Sequence, residues 1–263
     1  MSAEPIFHRT GESTYTPTGH ARGPWDVALL HGGAPAALLA REVERLEPGA
    51  DMLVARMTFE FLAPVPLAPL TVHAELVRPG RRLQLVEAEV RDGDRVVLRA
   101  RAVRLRRGAL EHGVTPRTPP GGDGPEDASP SPFPSAREEA EGFHRTGMDI
   151  RFANGTSYHE GPAQTWFRLA RPLVDGETPS PLQSVMAAAD FANGVSRVLA
   201  FDDFLFVNVD LTVHLDREPE GEWVLLDART SIAAHGGGLA TAALADRGGP
   251  IGVAAQSLFV EER

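Results

Sequence analysis

One acidic residue lies in a stretch whose pattern otherwise calls for apolar side chains. Asp190 stands in "MAAADFANG" (186–194), between alanines and Phe191. On a helical wheel, apolar residues cover both of its sides, so an ionised carboxylate there is costly unless it is hydrogen-bonded. Partial burial of this kind is the environment in which enzymes tune a carboxylate to act as a general base. The residues alone leave two interpretations open, a catalytic base and an acid at the margin of a helix.

Two polar residues on predicted strands are further candidates for chemistry. Thr230 follows Leu226 and Ala228 at every second position, so its hydroxyl faces the same side, where it could hold a water molecule or a carbonyl group. Gln256 interrupts the short apolar strand "GVAAQSLFV", and a buried amide needs several partners because it both donates and accepts hydrogen bonds. Both residues could equally be structural, with hydrogen bonds inside the core.

A His-Gly-Gly sequence stands directly before the first predicted helix. Amides at a helix start lack partners within the helix, and glycine permits close approach, so Gly32 and Gly33 could polarise a substrate carbonyl. His31 could be an acid, a substrate ligand or only a residue of the helix start. The nine histidines show no metal-binding spacing such as HExxH, so we expect no metal ion and no cofactor.

Composition excludes several classes of protein. The net charge of −10 argues against a nucleic-acid binder, which would carry a basic stripe. No apolar run approaches the ~20 residues that cross a bilayer, and the first residues lack the features of a signal peptide, so we expect a cytoplasmic protein without a membrane partner. The absence of cysteine excludes disulfides and thiolate nucleophiles.

The chain divides into two parts of similar pattern. Residues 108–142 are dominated by proline, glycine, serine and acids, which predicts a linker between a first unit (1–107) and a second unit (143–263). Each unit shows one helical pattern, at 34–46 and at 180–194, followed by about four strand-like runs. Phe59 matches Leu211 across the units at a separation of 152 positions, and the shared order of elements indicates a tandem duplication.

Four short motifs resemble those of a known family. They are "LLHGGAPAALLAR" before the first sheet, "AAADFANG" in the second helix, "ARTSIAAHGG" on a central strand and "AAQSLF" on the last strand. With them the chain resembles the type II (TesB-like) acyl-CoA thioesterases over nearly its whole length outside the linker. That resemblance implies an α+β double hot-dog fold, in which two tandem units each wrap a curved antiparallel sheet around a long helix.

The resemblance also implies a function and a set of residues. An acyl-CoA thioester would be hydrolysed by water that Asp190 activates, with Thr230 and Gln256 orienting the water. His31, Gly32 and Gly33 would contact the substrate. A homodimer or larger homo-oligomer is expected. One working site per chain is expected from the sequence itself, because Ala36, Ala37 and Leu38 stand in the first half where a matching acid would be.

Two departures keep other functions open. The family usually has glutamine after the glycine pair, whereas here Ala34 follows it and His31 precedes it. A non-catalytic double hot-dog protein that binds acyl-CoA is therefore one alternative. An enoyl-CoA hydratase is another, although the G-D-x-N-P-x-H type segment of those enzymes is absent from the sequence.

Overall fold

A computed structural model describes residues 3–47, 51–112, 114–115, 118, 124–130, 141–156 and 160–263. In the first part of the chain the elements are β1 (Phe7–Arg9), β2 (Thr14–Pro17), a 3-10 turn (Gly19–Ala21), α1 (Gly33–Arg45), β3 (Met52–Phe61), β4 (Leu70–Arg78), β5 (Leu83–Asp92) and β6 (Arg95–Arg106). The later elements are β7 (Ser129–Pro130), a π-helical turn (Phe143–Gly147), β8 (Met148–Asn154), β9 (Ala163–Leu169), α2 (Pro181–Ala189), α3 (Ala192–Val195), β10 (Phe204–Asn208), β11 (Asp210–Leu215), β12 (Val224–Ile232), β13 (Gly237–Asp246) and β14 (Gly249–Glu262).

The strands form one antiparallel sheet in which the same order occurs twice. The order is β1-β2-β4-β5-β6-β3-β11-β14-β13-β12-β9-β8-β7, with β10 paired to β14. The runs β2-β4-β5-β6-β3 and β9-β12-β13-β14-β11 therefore correspond strand by strand. They meet at β3 and β11, where Phe59 lies directly opposite Leu211. At the centre of an antiparallel pair formed by two related strands, equivalent residues lie opposite each other, so this register agrees with the match seen in the sequence.

The two long helices lie antiparallel in the core. α1 packs against β4, β5 and β6, whereas α2 packs against β9, β11 and β12. At one end of the pair, the backbone of Gly33 approaches the Ala187 carbonyl. At the other end, Ser180 at the start of α2 donates to Glu44 in α1 at 2.7 Å. Apolar residues of both helices and of the inner sheet face form one continuous core.

A smaller cluster covers the outer sheet face of the second part. Ala128 packs there with Trp166, Trp223 and two residues of β12 and β13, and β7 pairs with β8. Residues 124–130 of the predicted linker therefore lie against the second unit, while residues 131–140 lie outside the described residues. The division at residues 108 and 142 stays a prediction. Within the described ranges, no helix has both the length and the apolar character needed to cross a membrane.

The second helix departs from its predicted range of 180–194. Its start agrees, because Ser180 accepts the Gln183 amide at 3.2 Å as an N-cap. However, α2 ends at Ala189 and a separate turn, α3, follows. In an unbroken helix Asn193 N–H would donate to the Ala189 carbonyl, but here it donates to the side chain of Gln256. A long-range partner, invisible to local periodicity, ends the helix at Asp190.

We expect Gly33→Ala to lower the free energy of unfolding by about 1–2 kcal/mol, because an added methyl overpacks the helix contact. A Cβ at this position would stand 2.5 Å from the Ala187 carbonyl oxygen, which is backbone and cannot rotate away. Chemical denaturation measures the change. Gly108→Ala is the matched control, because a Cβ there meets nothing within 4 Å. Equal stability of the two variants would contradict the packing argument.

Candidate active site

Asp190 lies at the break between α2 and α3, with its side chain 3% exposed. One carboxylate oxygen, Oδ1, accepts from Asn208 Nδ2 at 2.8 Å and from Gln256 Nε2 at 3.4 Å. The other oxygen, Oδ2, lies 3.0 Å from His31 Nδ1. Three side chains from three separate parts of the chain thus surround one buried carboxylate, which satisfies the requirement that a buried charge be hydrogen-bonded.

Gln256 on β14 bridges the helix break and points its amide at Asp190. Its Oε1 accepts from Asn193 N–H at 3.2 Å, and its Nε2 donates to the Asp190 backbone carbonyl at 3.2 Å. The first of these bonds fixes which end of the amide is the acceptor, so the NH₂ group faces the carboxylate. The predicted pair Asp190 and Gln256 is therefore in contact, with the glutamine 1% exposed.

His31 enters the site from the first unit and is held by aromatic rings. Its imidazole stacks on Phe191 with centroids 4.2 Å apart and an interplanar angle of 24°. Phe143 of the π-helical turn lies 5.2 Å away. Nδ1 also lies 3.1 Å from Gly33 N, so it either accepts from that amide or, when protonated, donates to Asp190.

Gly32 brings the start of α1 against the carboxylate. A Cβ at position 32 would stand 2.8 Å from both Asp190 Oδ2 and the Phe61 ring, so only glycine fits without displacing one of them. Its φ of −57° is ordinary helical backbone, and the requirement is therefore one of space rather than conformation. Within the described part of the chain, Gly33 N–H contacts His31, and no bond from Gly32 N–H is found.

Thr230 is placed differently from the other predicted residues. It faces the same side of the sheet as Gln256, but Ala240 on β13 separates them, and strands two apart are separated by roughly 9.5 Å. Its hydroxyl lies 2.8 Å from Ser196 Oγ, which in turn donates to the Ala192 carbonyl. The described contacts join Thr230 to the end of α3 and not to Asp190.

Asn208 lies beside Asp190, in the place that the sequence analysis assigned to Thr230. It ends β10, and its Nδ2 donates to Asp190 and, at 3.3 Å, to the Asp210 carbonyl. The available signal was a primary amide after the apolar run "FLFV", the same kind of signal that singled out Gln256. Only the fold shows that the two amides converge on one carboxylate.

A cavity of about 550 Å³ opens onto these groups. Asp190, Asn208, His31 and Gly32 line one side of it. Most of the remaining wall is apolar and comes from residues 23–30, 61–65 and 201–209. A largely apolar concave site with a few convergent polar groups is typical of a small-molecule pocket.

His144 also lines this cavity. Burial, together with the nearby His31 and Arg145, lowers the pKa of His144 to about 3. The imidazole is consequently neutral at physiological pH and adds no positive charge to the site.

Comparison with known proteins identifies the family. Residues 21–105 match the model of the acyl-CoA thioesterase N-terminal domain, and residues 125–260 match that of the acyl-CoA thioesterase C-terminal domain. The chain belongs to the acyl-CoA thioesterase family. The predicted resemblance to the TesB-like enzymes is thereby confirmed, and the chain is a thioester hydrolase. No curated protein sequence matches it.

Solved structures of three acyl-CoA thioesterase-like or hot-dog proteins share its fold. A candidate thioesterase from Novosphingobium aromaticivorans is 23% identical, with a TM-score of 0.71 over 98% of this chain and 99% of that chain. A hot-dog protein from Alicyclobacillus acidocaldarius is 19% identical, with a TM-score of 0.68 over 96% and 95%. An acyl-CoA thioesterase II from Mycobacterium marinum is 18% identical, with a TM-score of 0.63 over 98% and 95%.

Proposed function

We propose that this thioesterase hydrolyses acyl-CoA with water that Asp190 activates. The observation that carries the proposal is the carboxylate itself, which is buried beside an apolar cavity and faces three polar side chains. Asn208 and Gln256 both donate to Oδ1. When His31 Nδ1 accepts from Gly33 N–H, Oδ2 on the side of Gly32 receives no proton from the histidine and is available to take one from water. A positioned carboxylate of this kind contributes roughly 10²–10⁴-fold as a general base.

The reaction would proceed in two steps without a covalent enzyme intermediate. Water loses a proton to Asp190 as its oxygen bonds to the thioester carbon, and the carbonyl oxygen becomes an oxyanion. The C–S bond then breaks, and the proton on Asp190 passes to the departing CoA thiolate. The products are a carboxylic acid and free CoA, and Asp190 returns to its starting state.

Gly32 would stabilise the oxyanion through its backbone N–H. This amide stands at the start of α1, where the helix dipole adds a partial positive charge and the absence of a side chain permits close approach. Asn208 would replace Thr230 in orienting the water, because its amide nitrogen already bonds Asp190 and its carbonyl oxygen is of the right type to accept the second water hydrogen.

For the fold we propose the double hot-dog arrangement, with each long helix wrapped by its half of the sheet. The repeated strand order and the packing of α1 and α2 on opposite halves of the inner face support it. We also propose a homodimer or larger assembly through the outer sheet face, where Leu239, Val253 and Phe259 are each about half exposed. Light scattering after size exclusion tests the assembly, and a monomer at micromolar concentration would reject it.

A thiol-release assay with acyl-CoAs of several lengths tests the hydrolysis. We expect turnover with at least one chain length and release of one thiol per acid formed. Saturable binding without thiol release would instead indicate the non-catalytic acyl-CoA binder, and addition of water across an enoyl-CoA double bond would indicate a hydratase.

We expect Asn208→Ala to lower kcat about 10- to 100-fold, because a hydrogen bond to a charged group contributes about 1.5–3 kcal/mol. Thr230→Ala, the matched control, should change kcat less than threefold, since its hydroxyl bonds Ser196. Initial rates at saturating substrate, with melting temperatures to verify folding, check both. A larger loss of kcat in Thr230→Ala than in Asn208→Ala would instead support a catalytic role for Thr230.

A further inference from the structure

Three aromatic rings form one wall of the catalytic cavity, here called the aromatic wall. Phe206 lies edge-on to Trp25, with centroids 5.2 Å apart and an interplanar angle of 87°. Phe201 completes the group at 5.0 Å from Phe206 and 5.5 Å from Trp25. All three line the same cavity as Asp190. These are the separations and tilts that aromatic side chains prefer. Phe206 is buried between its neighbours, whereas Trp25 and Phe201 are partly exposed, so the wall has ring surface left for one more ring.

Two arginines lie over the rings of Phe201 and Trp25. The guanidinium carbon of Arg263 lies 5.6 Å from the Trp25 ring centroid, and that of Arg197 lies 5.2 Å from the Phe201 centroid. Arg197 is itself buried and donates to the Leu199 carbonyl. Rings that are fixed before a ligand arrives lose less freedom on binding, which favours recognition of a rigid group.

The aromatic wall begins close to the place where the thioester carbonyl would bind. Phe206 and Asn208 are two residues apart on β10, so their side chains share a face and are offset by roughly 6.7 Å along the strand. Asn208 bonds Asp190, and the thioester carbonyl must come next to that carboxylate. A substituent one to three carbons from the carbonyl would therefore reach the ring of Phe206.

The apolar character of the aromatic wall indicates whether it binds the acyl arm or the pantetheine arm of the substrate. The pantetheine arm of CoA carries two amides, which need hydrogen-bond partners when they leave water. Trp25, Phe201 and Phe206 offer mainly ring faces and edges, which suit an apolar group. The wall consequently fits the acyl arm.

We propose that the substrates are arylalkanoyl-CoA thioesters, whose aromatic ring stacks in the aromatic wall one to three carbons from the thioester. This inference rests on the proposed hydrolysis at Asp190. It predicts that kcat/KM for phenylacetyl-CoA or 3-phenylpropanoyl-CoA exceeds that for hexanoyl-CoA about tenfold. Benzoyl-, butyryl-, octanoyl- and palmitoyl-CoA complete the series.

Two substitutions separate ring recognition from general hydrophobicity. Trp25→Leu and Phe206→Leu keep the wall apolar but remove one ring each, and each should reduce the tenfold preference to about one. Phe259→Leu, the matched control on the outer sheet face, should leave the preference unchanged. If Phe206→Leu does not fold, Trp25→Leu alone decides, because Trp25 is only partly buried.

Three results would overturn the inference. The first is a higher kcat/KM for an aliphatic acyl-CoA than for both arylalkanoyl-CoAs. The second is an equal loss with phenylacetyl- and hexanoyl-CoA in Trp25→Leu. The third is a weaker Kd for free CoA in Trp25→Leu, which would assign the wall to the adenine of CoA.

The test also separates this inference from the proposed function. Turnover of aliphatic acyl-CoAs without an arylalkanoyl preference rejects only the inference. If nothing is hydrolysed, titration calorimetry with the Asp190→Asn protein compares 3-phenylpropanoyl-CoA with hexanoyl-CoA. Tenfold tighter binding of the aromatic ligand supports the aromatic wall, and equal binding rejects it.

Discussion

Replacing Asp190 by asparagine is expected to lower kcat about 10³-fold while the protein stays folded. Asparagine has nearly the same shape, so the packing of the α2–α3 break and the contacts with Asn208 and His31 can persist. It cannot take a proton from water, however, and the contribution of the general base is lost, which is typically 10²–10⁴-fold. Pre-steady-state and steady-state thiol release at saturating substrate measure the change.

A matched control distinguishes the loss of the general base from the effect of neutralising a carboxylate elsewhere in the protein. Asp227 on β12 accepts from Gln164 Nε2 at 3.2 Å, on the sheet face opposite to the cavity. Asp227→Asn should retain nearly full kcat. Full activity of the Asp190 variant, or equal losses in both variants, would remove Asp190 from the proposed mechanism.

The proposed catalytic group combines residues from both halves of the chain, and this gives a structural reason to expect one site in a duplicated chain. His31 and Gly32 come from the start of α1, whereas Asp190, Asn208 and Gln256 come from the second half. At the opposite end of the helix pair, α2 begins with Ser180 rather than glycine. Ser180 and the Gln183 side chain both bond Glu44 there, which joins the helices instead of opening a cavity toward a carboxylate.

Regular elements could be predicted closely where local pattern decides them. The helix expected over residues 34–46 forms over Gly33–Arg45, because alanines and leucines at helical spacing coincide with burial against the sheet. The strand order could be expected only through the family resemblance, since alternation does not specify which strands pair. The end of α2 could not be predicted, because Gln256, 66 residues away from Asp190, supplies the bonds that break the helix.

One pentapeptide illustrates the limit of local sequence. "FHRTG" occurs at residues 7–11 and again at 143–147. The first copy begins as a strand, with Phe7 N–H bonded to the Leu173 carbonyl. The second copy forms a π-helical turn whose amides donate to the Gly142 carbonyl. Partners outside the pentapeptide decide between the two, and only the second copy places a phenylalanine and a histidine beside the cavity that Asp190 lines.

Replacing Arg41 by methionine is expected to lower the free energy of unfolding by about 3 kcal/mol, the largest stability effect we predict. Arg41 lies in α1 with its side chain 2% exposed, and it forms ion pairs with Glu42 and with Glu177 of the second half. It also donates to the Tyr15 hydroxyl at 2.9 Å. Methionine fills similar space but leaves Glu42 and the Tyr15 hydroxyl without the guanidinium, and Glu177 with only the exposed Arg45 at 3.6 Å. Arg45→Met, one turn later and 54% exposed, is the matched control and should change stability by less than about 1 kcal/mol.

The same variant should change how stability depends on pH. Hydrogen bonds from Arg41 hold the pKa of Glu177 below its ordinary value. A carboxyl group whose pKa is lower in the folded than in the unfolded protein stabilises the fold above its unfolded pKa, near 4.5, and that contribution disappears as the pH falls through the folded value. The stability difference between the parent protein and Arg41→Met should therefore be full at pH 7 and shrink below about pH 4.5. Denaturation at a series of pH values measures it, and a difference that stays constant from pH 7 to below pH 4.5 would show that Arg41 acts through packing rather than through its charge.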